Sequence, residues 1–81
     1  MIIKYPLRTE KTIRLLEANN TIAFVVDARS NKIEIQKEVE KQFSVKVESV
    51  NTLSRANKKI AYVKLRKENS ALDIATKLGM M

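Results

Sequence analysis

The run Thr21-Ile22-Ala23-Phe24-Val25-Val26-Asp27 is the feature that most constrains this chain. Its β-branched and aromatic side chains favour a strand. Ile22, Phe24 and Val26 share one face, while Ala23 and Val25 make the other face apolar too. A strand without a polar side belongs in the middle of a sheet, covered on both faces. With 81 residues in all, such a strand leaves room for one domain (1–81) and one core. The chain has no Cys and no His, so neither a disulfide nor a soft-ligand metal site supplements that core. Stabilisation by a bound partner is the remaining route.

The other elements follow from caps and periodicity. Ile2 to Tyr5 reads as a short strand closed by Pro6, whose missing N–H suits an edge. Thr9 reads as the N-cap of a first helix with Glu10 at its positive end, Ile13 and Leu16 as its apolar stripe, and Asn19-Asn20 as its stop. Asn31 and Glu34 have capping-box spacing ahead of a helix from Lys32 to Phe43. Ile35, Val39 and Phe43 line one side of that helix, and the pairs Glu34–Lys37 and Glu38–Lys41 are expected on the other. From Val45 to Leu53 a third strand changes phase between Val47 and Val50, which suggests a bulge or a change in which face is covered. Ser54 to Lys58 reads as a turn. In the fourth strand, Lys59 to Arg66, Ala61, Val63 and Leu65 lie on one face, and Ile60, Tyr62, Lys64 and Arg66 on the other. Ser70, with Asp73 at the third helical position, opens a last helix that buries Ala71, Ile74, Ala75 and Leu78 and stops at Gly79. The order β-α-β-α-β-β-α predicts an α+β fold, a sheet with helices packed on it.

Charge points to the class of partner. The chain carries 16 Lys and Arg against 9 Asp and Glu, a formal net charge of +7, which favours polyanions, nucleic acid first. The excess is polarised. Arg55, Lys58, Lys59, Lys64, Arg66 and Lys67 follow one another without an acid, and Lys4, Arg8, Lys11 and Arg14 face only Glu10. Between Ile33 and Val50, Lys37, Lys41 and Lys46 are outnumbered by Glu34, Glu38, Glu40 and Glu48. No apolar run is long enough for a signal peptide or a membrane span, so a cytosolic, membrane-free location is expected.

Catalytic chemistry has little to work with. One glycine excludes the phosphate-cradling and dinucleotide-binding loops, which need several positions without side chains. Without His or Cys the usual nucleophile–base pairs are gone, and the carboxylates alternate with Lys as exposed charges do. No enzyme activity, cofactor, metal or small-molecule substrate is expected.

Three segments are candidate RNA contacts. In the hairpin from Arg55 to Lys67, Lys58, Lys64 and Arg66 share strand parity with Tyr62, placing an aromatic ring among cations; Lys59 adds charge at the turn. The alternative is a solvated face, or one covered by a helix with Tyr62 in the core. Around the first helix, Lys11 and Arg14 are three apart and project together, Arg8 precedes the cap, and Lys4 lies in the strand before them. In the loop Arg29-Ser30-Asn31-Lys32, Asn31 serves as a helix cap, which is compatible with phosphate contact through Arg29, Asn31, Lys32 and nearby N–H groups. The paired aromatic motifs of an RNA-recognition motif are missing, so the cationic inventory suits the backbone and shape of a folded RNA.

Four stretches carry a resemblance. They are Pro6 with Thr9-Glu10-Lys11; Phe24-Val25-Val26-Asp27 leading to Asn31-Lys32-Ile33-Glu34-Ile35; Val39-Glu40 with Phe43 and Val45-Lys46-Val47; and Val50-Asn51-Thr52 with Lys58-Lys59-Ile60-Ala61-Tyr62-Val63-Lys64-Leu65. In order and spacing, over nearly the whole chain, they resemble the universal large-subunit ribosomal protein family numbered twenty-three. The resemblance implies a four-stranded antiparallel sheet with helices, bound to large-subunit rRNA beside the polypeptide exit tunnel. It implies a neighbouring ribosomal protein, numbered twenty-nine, and a docking surface for signal recognition particle and other exit-site factors. Glu10 lies where the family presents an acidic contact to such factors, although a carboxylate at a helix start also has a local reason to exist. Ser30 stands where the family often has Ala. Ser54 to Asn57 is a short turn where bacterial members extend a long loop into the tunnel. That turn, with no long basic N-terminal extension, resembles the archaeal type. Two other roles compete: an adaptor that recruits exit-site factors through its first helix, and a free-standing nucleic-acid-binding protein.

Overall fold

A computed structural model describes residues 2–79. The elements are β1 (Ile3–Pro6), α1 (Glu10–Asn19), β2 (Thr21–Val26), α2 (Lys32–Phe43), β3 (Val47–Arg55), β4 (Lys58–Leu65) and α3 (Ala71–Lys77). The strands form one antiparallel sheet in the order β1-β2-β4-β3. The α+β fold and its element order are those expected from the sequence.

All six residues of β2 are buried, so the two-sided apolar strand is central as expected. Ile22, Phe24 and Val26 join Ala61, Val63 and Leu65 of β4 in a core closed by Leu16 of α1, Ile35 and Val39 of α2, and Ile74 of α3. Phe24 stacks on Phe43 at 5.8 Å between centroids, which pins the end of α2 to the middle of the sheet. Ala23, Val25 and Ile60 are buried on the opposite face, outside that core cluster.

Local chemistry sets the helix limits. Thr9 caps α1 reciprocally with Thr12: each side chain takes up the other residue's backbone N–H. In α2, Asn31 Oδ1 accepts from Glu34 N at 2.8 Å and Glu34 Oε1 accepts from Asn31 N at 3.0 Å. Ser70 caps α3 through Asp73 N. Asn20 and Ser44 end α1 and α2 in the left-handed conformation, with φ of 52° and 55°.

Several details depart from the sequence reading. The phase change in β3 is a bulge between Val47 and Ser49, which returns Val50 to the core face opposite Val63. Val45 precedes β3 and packs against the core from outside the strand. The turn is only Ala56-Asn57, both at positive φ, so pairing extends to Arg55 and Lys58. At its other end β4 stops at Leu65, and Arg66 lies beyond it. Leu78 is 38% exposed rather than buried, because α3 ends before it. The expected Glu34–Lys37 and Glu38–Lys41 ion pairs do not form among the described residues. Glu34 turns back into its cap instead.

Asn20 joins three elements at the end of the sheet. Its Nδ2 lies 2.8 Å from the Asn69 carbonyl and 3.3 Å from those of Leu65 and Arg66, while its Oδ1 accepts from Ala71 N at 2.7 Å. Asn69 Oδ1 in turn accepts from Lys46 N at 2.7 Å. One amide thus fixes the end of α1, the end of β4 and the start of α3. Asn20→Gly keeps the backbone conformation but removes the amide, and should lower stability by about 2–4 kcal/mol in urea denaturation. Stability within about 0.5 kcal/mol of the parent would show that backbone conformation, not the amide, is what matters.

Candidate nucleic-acid interface

Strand register sorts the candidate residues by face. Tyr62 of β4 pairs with Ala23 on one side and Asn51 on the other, Lys64 with Thr21 and Ser49, and Lys58 with Arg55. Cross-strand partners share a face. Lys58, Tyr62, Lys64 and Arg55 therefore lie together on the side away from the core, and the expected ring-among-cations arrangement exists. Tyr5 of β1 pairs with Val25 and so joins them.

Two cation–ring contacts organise this open face. Lys11 Nζ sits 5.8 Å from the Tyr62 ring centroid and Lys58 Nζ 5.9 Å from that of Tyr5. At exposed sites such contacts contribute on the order of 0.5–1 kcal/mol, so the ammonium groups stay available to a phosphate. Lys64 is partly neutralised by Glu48 at 3.3 Å, a pairing that the β3 bulge makes possible. Tyr62 is half-buried, and neither a helix-covered core ring nor a fully solvated one. Lys11, Leu15 and Asn19 sit four residues apart on α1, and with the strands they border a cleft of about 370 Å³.

The remaining candidates separate into exposed cations and structural ones. Lys4 lies in a bulge of β1 that it shares with exposed Tyr5, near Asp27. Arg8 and Lys32 are exposed, at the starts of α1 and α2. Arg14 pairs with Glu10 at 3.0 Å, a contact with both side chains largely in solvent and so of small energetic weight. Glu10 itself is 86% exposed. Asn31 is committed to its cap, and the Glu34 carboxylate already occupies the α2 N-terminus where a phosphate would sit. Arg29 belongs to the same loop. Its backbone N–H donates to Asp27 Oδ1 at 2.8 Å and its guanidinium lies 3.6 Å away. That backbone hydrogen bond, aided by the guanidinium charge, holds the Asp27 carboxyl below its ordinary range.

Lys59 differs from its neighbours. It has the opposite strand parity, and its Nζ donates to the carbonyl of Ser30, a residue 5% exposed. This ammonium ties β4 to the β2–α2 loop. Arg66 presents an exposed side chain, while its backbone is held by Lys46 and Asn20. Sequence reasoning missed Tyr5, Leu15, Ser49 and Asn51 on this face. The alternation of β3 held a signal for Ser49 and Asn51, once the bulge is counted. Tyr5 and Leu15 depend on strand order and helix placement, which are long-range.

Among the described residues no cluster of three His, Cys, Asp or Glu could hold a metal, and no helix is long and apolar enough to cross a membrane.

Comparison with known proteins gives concordant matches. The family model described as Ribosomal protein L23 matches residues 1–74. A large ribosomal subunit protein uL23 from Trypanosoma brucei brucei is 47% identical over 81 residues, covering 99% of this chain and 49% of the relative. One of the same description from the archaeon Methanothermobacter thermautotrophicus (strain Delta H) is 49% identical over 80 residues, covering 98% of this chain and 93% of the relative. The chain thus spans about half the length of the trypanosome protein and nearly all of the archaeal one.

The two adjacent lysines of β4 should behave oppositely. Lys59→Met should cost about 1.5–3 kcal/mol, because a charged donor to the carbonyl of buried Ser30 is lost. Lys58→Met should change stability by less than about 1 kcal/mol. Urea midpoints at constant slope measure both, and equal effects would contradict the assignment.

Proposed function

The chain belongs to the ribosomal protein L23 family, and on that premise we propose that it is a structural constituent of the large ribosomal subunit that binds large-subunit rRNA through the open face of its sheet. The carrying observation is the interleaving on that face of Lys11, Arg55, Lys58 and Lys64 with Tyr5 and Tyr62. Cations neutralise phosphates, and rings between them accept sugars or bases. On α2, Lys37 and Lys41 alternate with Glu34, Glu38 and Glu40, so that surface lacks a comparable field.

The same membership supports a position beside the polypeptide exit tunnel of cytoplasmic ribosomes, next to the ribosomal protein numbered twenty-nine. It supports no enzymatic role. The two-residue turn at Ala56-Asn57 keeps the hairpin short, so in this reading the protein holds the tunnel rim without reaching far inside. One observation favours a second, compatible role. Glu10 is 86% exposed at the solvent side of α1, where an acidic contact for signal recognition particle or other exit-site factors would need to be.

Replacing Arg55, Lys58 and Lys64 together by Ala should weaken rRNA binding and reduce the slope of log affinity against log salt by about 2–3, roughly one phosphate contact per residue. Replacing Lys37 and Lys41 by Ala should leave that slope within about 0.5 of the parent, since neither is assigned a phosphate contact. A filter-binding titration measures both, and an unchanged slope in the triple variant would remove the open face as the site.

A further inference from the structure

The cleft between α1 and the open face suggests more than backbone recognition. We propose that it is a pocket for one unpaired nucleotide of the bound RNA, with the base against Tyr62 and the phosphate met by Lys11. This deepens the rRNA-binding reading and rests on it.

Four observations converge. At about 370 Å³ the cleft falls within the range of small-ligand sites, roughly 300–1,000 Å³. Its walls are of two kinds: Leu15 and the Tyr62 ring are apolar, while Asn51, Ser49, Lys11 and Lys64 are polar or charged. Leu15 is half-buried yet not among the apolar residues packed on the core, and it lines the cleft instead. Finally, the exposed Asn51 amide and Ser49 hydroxyl are set by register directly opposite Tyr62 and Lys64, with their polar groups open to a ligand.

A base has an apolar face and polar edges, and this cleft offers the complement of both. The ring supplies a stacking surface once the Lys11 ammonium above it turns to the phosphate, and the opposite helix wall supplies a Leu side chain. An amide presents a donor and an acceptor side by side to a base edge. Lys64 is already balanced by Glu48, which leaves Lys11 as the cation at the mouth. A base stacked within a duplex cannot reach a half-buried ring between a helix and a sheet. Only a bulged or looped-out nucleotide enters, and folded RNA is commonly read through such nucleotides.

The chain has two tyrosines and no tryptophan, so in a Tyr5→Phe background Tyr62 is the only emitter. The probe is an rRNA fragment that the protein protects from nuclease, compared with versions in which each unpaired nucleotide is paired in turn. Pairing one particular nucleotide should weaken binding on the order of tenfold, the scale of a lost base–aromatic stack. It should also abolish quenching of Tyr62 emission. Tyr62→Ala should show a similar loss and become insensitive to that pairing. Leu15→Trp, which fills the cleft from the helix side, should reproduce the loss. If either Tyr62→Ala or Leu15→Trp folds as the parent does and binds the fragment equally tightly, the pocket is overturned while RNA binding stands. If no rRNA fragment is protected, both readings fall together.

Discussion

A strand that is apolar on both sides has to be covered on both sides, and β2 imposes that condition on everything around it. Toward the core, Ile22, Phe24 and Val26 call for helices, and α1, α2 and α3 supply them. Away from the core, Ala23 and Val25 are equally buried, outside the core cluster, on the face that α1 borders. Burial of this kind contributes about 25 cal/mol per Å² of apolar surface, so both faces matter to stability. That second face is also the cationic one. Its central strand is therefore the structural floor of the proposed binding face.

That dual role explains how the basic residues divide. Lys59, one step out of phase with Lys58, is drawn into the fold as a donor to the Ser30 carbonyl. Arg29 fixes its own loop through Asp27. The Asp27 carboxyl, ionised above its lowered pKa, supports that loop at neutral pH, and its support fades only as pH falls through that lowered value. On the open face Lys11 and Lys58 touch rings and Lys64 pairs with exposed Glu48, contacts weak enough to yield to phosphate. Net charge alone does not reveal this division, since a lysine in a local bond and one facing RNA count equally.

What the sequence makes legible is mostly local. The caps at Thr9, Asn31 and Ser70, the core face of α2 and the central strand all rest on signals within a few residues. The β3 bulge is visible as a phase slip because Val47 and Val50 cannot both face inward without it. Long-range features are not legible in the same way. Strand order β1-β2-β4-β3 depends on which edges meet. Asn20 reads as a helix stop, yet its amide bonds residues more than forty positions away. The fate of Lys59 depends on a carbonyl in another loop. In the candidate site, Tyr62 and its cations follow from strand parity, whereas Leu15 and Tyr5 join only after α1 and β1 are placed.

In the proposed complex the open sheet face meets rRNA and the α2 surface does not. Lysine-selective chemical labelling of intact large subunits, read residue by residue by mass spectrometry against the free protein, tests this directly. The account predicts that Lys11, Lys58 and Lys64 lose reactivity on the subunit while Lys37 and Lys41 keep theirs. Protection of the two α2 lysines with the three open-face lysines still reactive would contradict it.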